Sequence, residues 1–218
     1  MSYDEADARR DAMYDAMYDE MYDAISNEIR EDAIGEFSSD RLRSYYVQNP
    51  RLMRPAWYRF QQGMQLVSNQ HYEAATIFFA SSMELFFRFT LLRPVVYGLI
   101  HHERLADAVS KSVLDGNTGF TKYTTLLGHI YAQLLGVELK KLAVGNTDAN
   151  LIKKCNELQD RRNVLVHHGE TSGRTEALYA QAVARAVLNQ VVKPMLVALG
   201  LGLSGDGDIG PFTTKSAE

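Results

Sequence analysis

The chain has 218 residues, 46% of them apolar, which suits one globular core with or without an appendage. Its single cysteine, Cys155, excludes an internal disulfide framework and a cysteine-built zinc cluster within one chain, and fits a reducing cytoplasm. Only 5 prolines, and no short alternating runs of β-branched residues, weigh against a β-sandwich or barrel and favour helices.

The net charge of −4 is unevenly spread. Residues 1–36 hold 12 acidic residues against Arg9, Arg10 and Arg30, a net of −9, which leaves +5 on the remaining 182. An acidic start from Asp4 is unlike the basic start of a signal peptide. Met-Tyr-Asp recurs at 13, 17 and 21. A four-residue period nearly matches the helical turn, so 1–36 is expected to be an amphipathic, acidic helical extension with a solvated acidic face. A sharper alternative is an acidic lid over a basic groove.

Residues 37–61 change character. Arg41, Arg43, Arg51, Arg54 and Arg59 alternate with Tyr45, Tyr46, Trp57, Tyr58 and Phe60, and no acid occurs between Asp40 and Glu73. Pro50 and Pro55 point to a turn-rich connector. Its arginines and Trp57 are candidates for phosphate contact and base stacking on RNA. The plainer alternative is a linker with docked aromatics and solvated arginines.

Residues 62–93 read as the strongest helix, apolar on nearly every side from Ala74 to Leu92 and therefore buried. The stretch Ala74–Ile100 contains Glu84, Arg88 and Arg93, so it reads as a core helix and no membrane span is expected. Further helices are expected over 95–114, closed by Asp115-Gly116-Asn117, and over 121–143, closed by Gly145-Asn146. Asp148 is a candidate N-cap for a helix over 149–167, and Gly169 is its stop. Ser172 is a candidate cap for a last helix running to Leu199 and ending at Gly200. Residues 204–218 are expected to be a flexible tail. The outcome is an all-α domain over 62–203.

The helix at 149–167 carries the chemistry. With Leu151 at zero and a step of about 100° per residue, Cys155, Leu158 and Leu165 form an apolar stripe, and Arg162 falls at about 20°, in its middle. A guanidinium cannot deprotonate, so a buried one needs a partner or a wet cleft. Glu84, among Met83, Leu85, Phe86 and Phe87, is the economical partner; Arg88, one turn on, competes for it. Asn163 lies one turn before His167, which falls about 140° from Arg162. The pair therefore works only across a cleft. His101, His102, His129, His167, His168 and Cys155 are raw metal ligands, but no His-x3-His pair occurs, and no metal or other cofactor is expected.

The string Arg161-Arg162-Asn163-Val164-Leu165-Val166-His167-His168-Gly169 resembles the Arg-x(4–6)-His motif of the HEPN superfamily, and Glu73-Ala74-Ala75 with Met83-Glu84-Leu85-Phe86-Phe87-Arg88 looks like that family's second helix. The resemblance spans roughly 65–200. It implies a HEPN-like helical bundle that forms a homodimer through its motif helices, with two copies of the pair meeting at a composite cleft. It further implies a metal-independent endoribonuclease, often a toxin or phage-defence protein, with RNA as substrate and an antitoxin or other protein as partner. Arg162 and His167 would be catalytic, with Asn163, Glu84 and His168 in support. The alternative is a non-catalytic helical module that binds a protein or nucleic acid.

Overall fold

The structure is a computed structural model. It describes residues 17, 21, 39–94, 97, 128, 131–144 and 150–212. The chain divides into two compact units, Met1–Ser38 and Ser39–Glu218. In the first, Met17 and Met21 are helical. The rest of the acidic extension lies outside the described residues, as do most of 95–114, the turn at 115–117, and Asp148.

The second unit is predominantly helical. Residues 39–48 form α1, and α2 is Arg54–Ser68. The connector expected over 37–61 is thus mostly helix. Its prolines misled: Pro50 lies in the turn between the two helices, and Pro55 sits in the first turn of α2, where a missing N–H costs no helical bond. The single helix expected from 62 is also corrected. The chain turns at Asn69–His71, where Gln70 adopts φ 61°, and α3 begins afresh as Tyr72–Phe87. The two helices then pack closely. A Cβ on Gly63 of α2 would stand 2.7 Å from the Phe79 ring of α3.

Downstream, residues 131–135 are helical, and Gly136 ends them at φ 64°, short of the expected 143. A 3-10 turn, Leu139–Lys141, leads toward α4, Leu151–His168. Helix α5 is Arg174–Val187 and α6 is Lys193–Ala198. Gly200 turns the chain at φ 68°, as expected. The core joins Phe60 of α2, Phe79, Met83 and Phe86 of α3, Leu158 of α4, and Ala180, Val183 and Val187 of α5. No helix among the described residues is long and apolar enough to cross a membrane.

Two helices loosen in the same way. Helix α3 runs on through a π turn, Arg88–Leu92, and α5 through another, Leu188–Val192. Pro94 and Pro194 follow two residues later. Neither proline can supply the N–H that a regular helix would offer to the carbonyl four residues back, Thr90 or Gln190. A tyrosine from another helix fills each gap. The Tyr46 hydroxyl of α1 donates to the Thr90 carbonyl, and the Tyr131 hydroxyl donates to the Gln190 carbonyl at 2.7 Å.

The flexible tail expected from 204 is corrected as far as 212; residues 213–218 lie outside the described ones. Strands β1, Leu201–Leu203, and β2, Ile209–Pro211, form an antiparallel hairpin with Leu201 opposite Pro211 and Leu203 opposite Ile209. Four hydrogen bonds fix it to the start of α2 and the turn before it. Arg54 grips the Asp208 carboxylate with two nitrogens, one at 2.8 Å; Trp57 Nε1 donates to the Gly205 carbonyl at 2.7 Å; and the Ile209 amide donates to the Pro50 carbonyl at 2.7 Å.

Tyr46→Phe leaves a buried carbonyl without a donor and should cost about 1–3 kcal/mol. Tyr131→Phe should cost less, because its bond is only partly buried. Urea unfolding measures both; an unmoved midpoint for Tyr46→Phe would mean that the Thr90 carbonyl finds another donor.

Candidate functional site

Helix α4 starts at Asn150, whose side-chain oxygen accepts from the Ile152 amide at 2.8 Å and the Lys153 amide at 3.4 Å. Its amide nitrogen donates to the Lys140 carbonyl at 2.6 Å, which ties the cap to the preceding turn. The helix ends at Gly169, in the left-handed conformation at φ 66°. Between these limits Leu151, Cys155, Leu158 and Leu165 are buried, as the stripe required. Burial pushes the Cys155 thiol up, which leaves it an inert core residue.

Arg162 is half-buried within that stripe. Its Nη1 donates to Asn163 Oδ1 at 2.9 Å, while its buried Nε has no acceptor. Glu84 approaches from α3 with a buried Oε1 that has no donor. Burial pushes the Glu84 carboxyl above its ordinary range, and the charge of Arg162 pulls it part of the way back. The expected pairing is therefore an electrostatic one. No hydrogen bond or direct ion pair joins the two side chains, and none joins Glu84 to Arg88, which is exposed.

His167 and His168 are exposed in the last turn of α4. No hydrogen bond links His167 to Arg162 or Asn163 within the chain. The fold thus brings Arg162, Asn163 and Glu84 together, and sets His167 apart at the helix end.

The residue that the sequence reading missed is Arg161. Its guanidinium donates to the Glu170 carboxylate, to the Thr171 carbonyl at 2.8 Å, and to Glu176 at 3.0 Å. One side chain thereby ties the end of α4 to its exit loop and to the first turn of α5. Ser172 is not the cap of α5; that position is Gly173, with no side-chain bond. Ser172 instead meets Thr76 of α3 at 2.9 Å. Nearer the middle, Glu157 of α4 takes Tyr179 of α5 at 2.9 Å and Lys154 at 2.8 Å. The signal for Arg161 was a pair of acids, Glu170 and Glu176, flanking the exit loop.

The six residues considered for RNA contact fall into different settings. Arg54 and Trp57 hold the hairpin. The Arg59 guanidinium lies 5.7 Å from the Phe78 ring centroid, a cation–π arrangement. Arg43 and Arg51 are exposed, and Arg41 is half-buried. Arg54, with a smaller contribution from Arg51, holds the Asp208 carboxyl below its ordinary range. Comparison with protein-family models, with curated proteins and with solved structures gives no match to the chain.

The raised pKa of Glu84 fixes a sign. The folded state favours the protonated form, so this group supports stability at low pH and opposes it as pH rises through the raised value. Glu84→Gln should therefore raise Tm near neutral pH and leave it nearly unchanged at about pH 4. Thermal melts at the two pH values test this; a lower Tm at neutral pH would show that the attraction to Arg162 outweighs burial.

Proposed function

We propose that this chain is a metal-independent endoribonuclease of the HEPN type, acting as a homodimer in a toxin–antitoxin or phage-defence role. The observation that carries the reading is the state of Arg162. It is a half-buried guanidinium, aimed by Asn163, with a buried nitrogen left open and an unbonded carboxylate behind it. Its neighbour Arg161 also has an open Nε but gives its terminal nitrogens to two carboxylates and a carbonyl, whereas Arg162 makes no hydrogen bond to a carboxylate. A side chain kept for a transition-state phosphate is held and left open.

RNA brings its own nucleophile. Attack of the 2′-oxygen on the adjacent phosphorus forms one P–O bond and breaks the bond to the 5′-oxygen, leaving a 2′,3′-cyclic phosphate and a 5′-hydroxyl. The proton leaves the 2′-hydroxyl, and a proton must reach the departing 5′-oxygen. His167, exposed to solvent, suits this proton traffic near neutral pH. Arg162 neutralises the charge that builds on the phosphoryl oxygens. His167 lies about 140° around α4 from Arg162, which favours a cleft between two copies of α4 over one within a single chain.

Arg162→Ala and His167→Ala should each lower cleavage of single-stranded RNA by about 100-fold or more, and wild-type cleavage should persist in EDTA. Gel assays with end analysis for the cyclic phosphate measure both. RNA that is bound but left whole by the wild-type protein would instead favour the non-catalytic binding module.

A further inference from the structure

Two side chains of α4 have no part in the chemistry above. Asn156 and Gln159 are half-buried, and neither carboxamide makes a hydrogen bond among the described residues. Nearby polar groups on α4 behave differently. Glu157 is tied to Tyr179 and Lys154, Arg161 to its three acceptors, and Asn163 to Arg162. The two free amides are not scattered. With Leu151 at zero, Gln159 falls at about 80° and Asn156 at about 140°, flanking Asn163 at about 120° and close to His167 at about 160°. Glu157 and Arg161, which brace α5, lie on the opposite side, between about 240° and 280°. Along the axis, Gln159 precedes His167 by about 12 Å and Asn156 by about 16 Å.

This sector is graded in charge. Its C-terminal end holds His167, with Arg162 about 60° beyond Gln159 on the side of the buried stripe, while further back it offers neutral amides. Neutral amides contribute little to a phosphate. A carboxamide presents an acceptor and two donors in one plane, which matches the edge of a nucleobase. Unstacked bases of single-stranded RNA are read on such edges. We infer that Asn156 and Gln159 read bases flanking the scissile phosphate, and so set the nucleotide preference of the enzyme. The inference rests on the endoribonuclease reading and names what that reading leaves open.

The test is cleavage of a single-stranded RNA pool with randomised flanks, followed by sequencing of the new ends. Wild type should show a base preference beside the cut. Asn156→Ala and Gln159→Ala should each weaken that preference by about tenfold at one position, while total cleavage of the pool stays within a few-fold. Gln159→Glu, which replaces donors with acceptors, should change the preferred base, an effect that misfolding does not produce. A wild-type enzyme without base preference, or one whose preference survives all three substitutions, overturns the inference. His167→Ala runs in parallel. If it abolishes cleavage while the amide variants cut with the wild-type pattern, this inference alone fails. If His167→Ala cuts normally, the reading beneath it fails too.

Discussion

Helix α3 turns one broad face, carrying Ala75, Phe79, Ala80, Met83, Phe86 and Phe87, into the centre of the unit, and the rest of the unit is arranged around that constraint. Its apolar side chains fill the space between α2, α4 and α5, and Phe79 sits against a glycine because nothing larger fits. Such a helix must place every polar group with care. Among the described residues the buried polar side chains are Thr76, Ser82 and Thr90, all on α3 or its π turn. Thr76 donates to the Tyr72 carbonyl at 3.0 Å, Ser82 donates to the Ala56 carbonyl at 2.9 Å, and Thr90 points at Met53 sulfur, 4.0 Å away. Glu84 stands out on the same helix. It is half-buried, carries a full charge when ionised, and has no donor on its buried oxygen. A glutamine or leucine there would be cheaper for the fold. Its retention in so careful a helix is the strongest structural reason to seek a task for the group that it faces.

That group is Arg162, and its neighbour Arg161 shows what an arginine placed for structure looks like. The two are consecutive and point about 100° apart. Arg161 donates from its two terminal nitrogens to two carboxylates and a carbonyl, although its buried Nε has no acceptor, and it welds α4, the exit loop and α5 into one body. Arg162 has a single bond, to the next residue on its own helix. The weld also serves the open residue. It fixes the last turn of α4 from behind, so that Asn163 and His167 keep their helical positions on the other side.

Much of this was legible in the sequence, for identifiable reasons. The unbroken apolar run from Ala74 announced a core helix, though its face through Ala74, Ile77, Phe78, Ser81 and Leu85 is only half-buried, and the oddity of Glu84 inside it pointed to Arg162. Gly169 and Gly200 ended their helices because both needed the left-handed conformation. What failed was local. Gln70 adopts a positive φ without being a glycine, so the break between α2 and α3 left no mark. The hairpin did leave one: Asp206-Gly207 between Leu203 and Ile209 is a turn signal with alternating apolar flanks, hidden by the small polar residues around it. Arg54 and Trp57 were read only as RNA candidates or as a solvated arginine and a docked aromatic, and their actual partners could not be named, since Asp208 and Gly205 lie about 150 residues away. Such contacts have no period to read.

The two tyrosine-capped prolines add an ordering principle. In each half of the unit a helix supplies a tyrosine, a second helix follows, and a third ends in a π turn and a proline whose bare carbonyl that tyrosine fills. In the first half the middle helix is α2, and in the second it is α4. Their treatment differs sharply. Near its start α2 is secured by the hairpin, which engages Arg54 and Trp57. Helix α4 keeps Arg162 Nε without an acceptor and two carboxamides without partners. Half-buried carboxamides without a hydrogen bond among the described residues occur on both, Gln61 on α2 and Asn156 and Gln159 on α4, so they do not separate the two helices. What sets α4 apart is Arg162, a half-buried guanidinium that faces the Glu84 carboxyl with no hydrogen bond between them, while Arg54, the arginine that opens α2, is paired with Asp208.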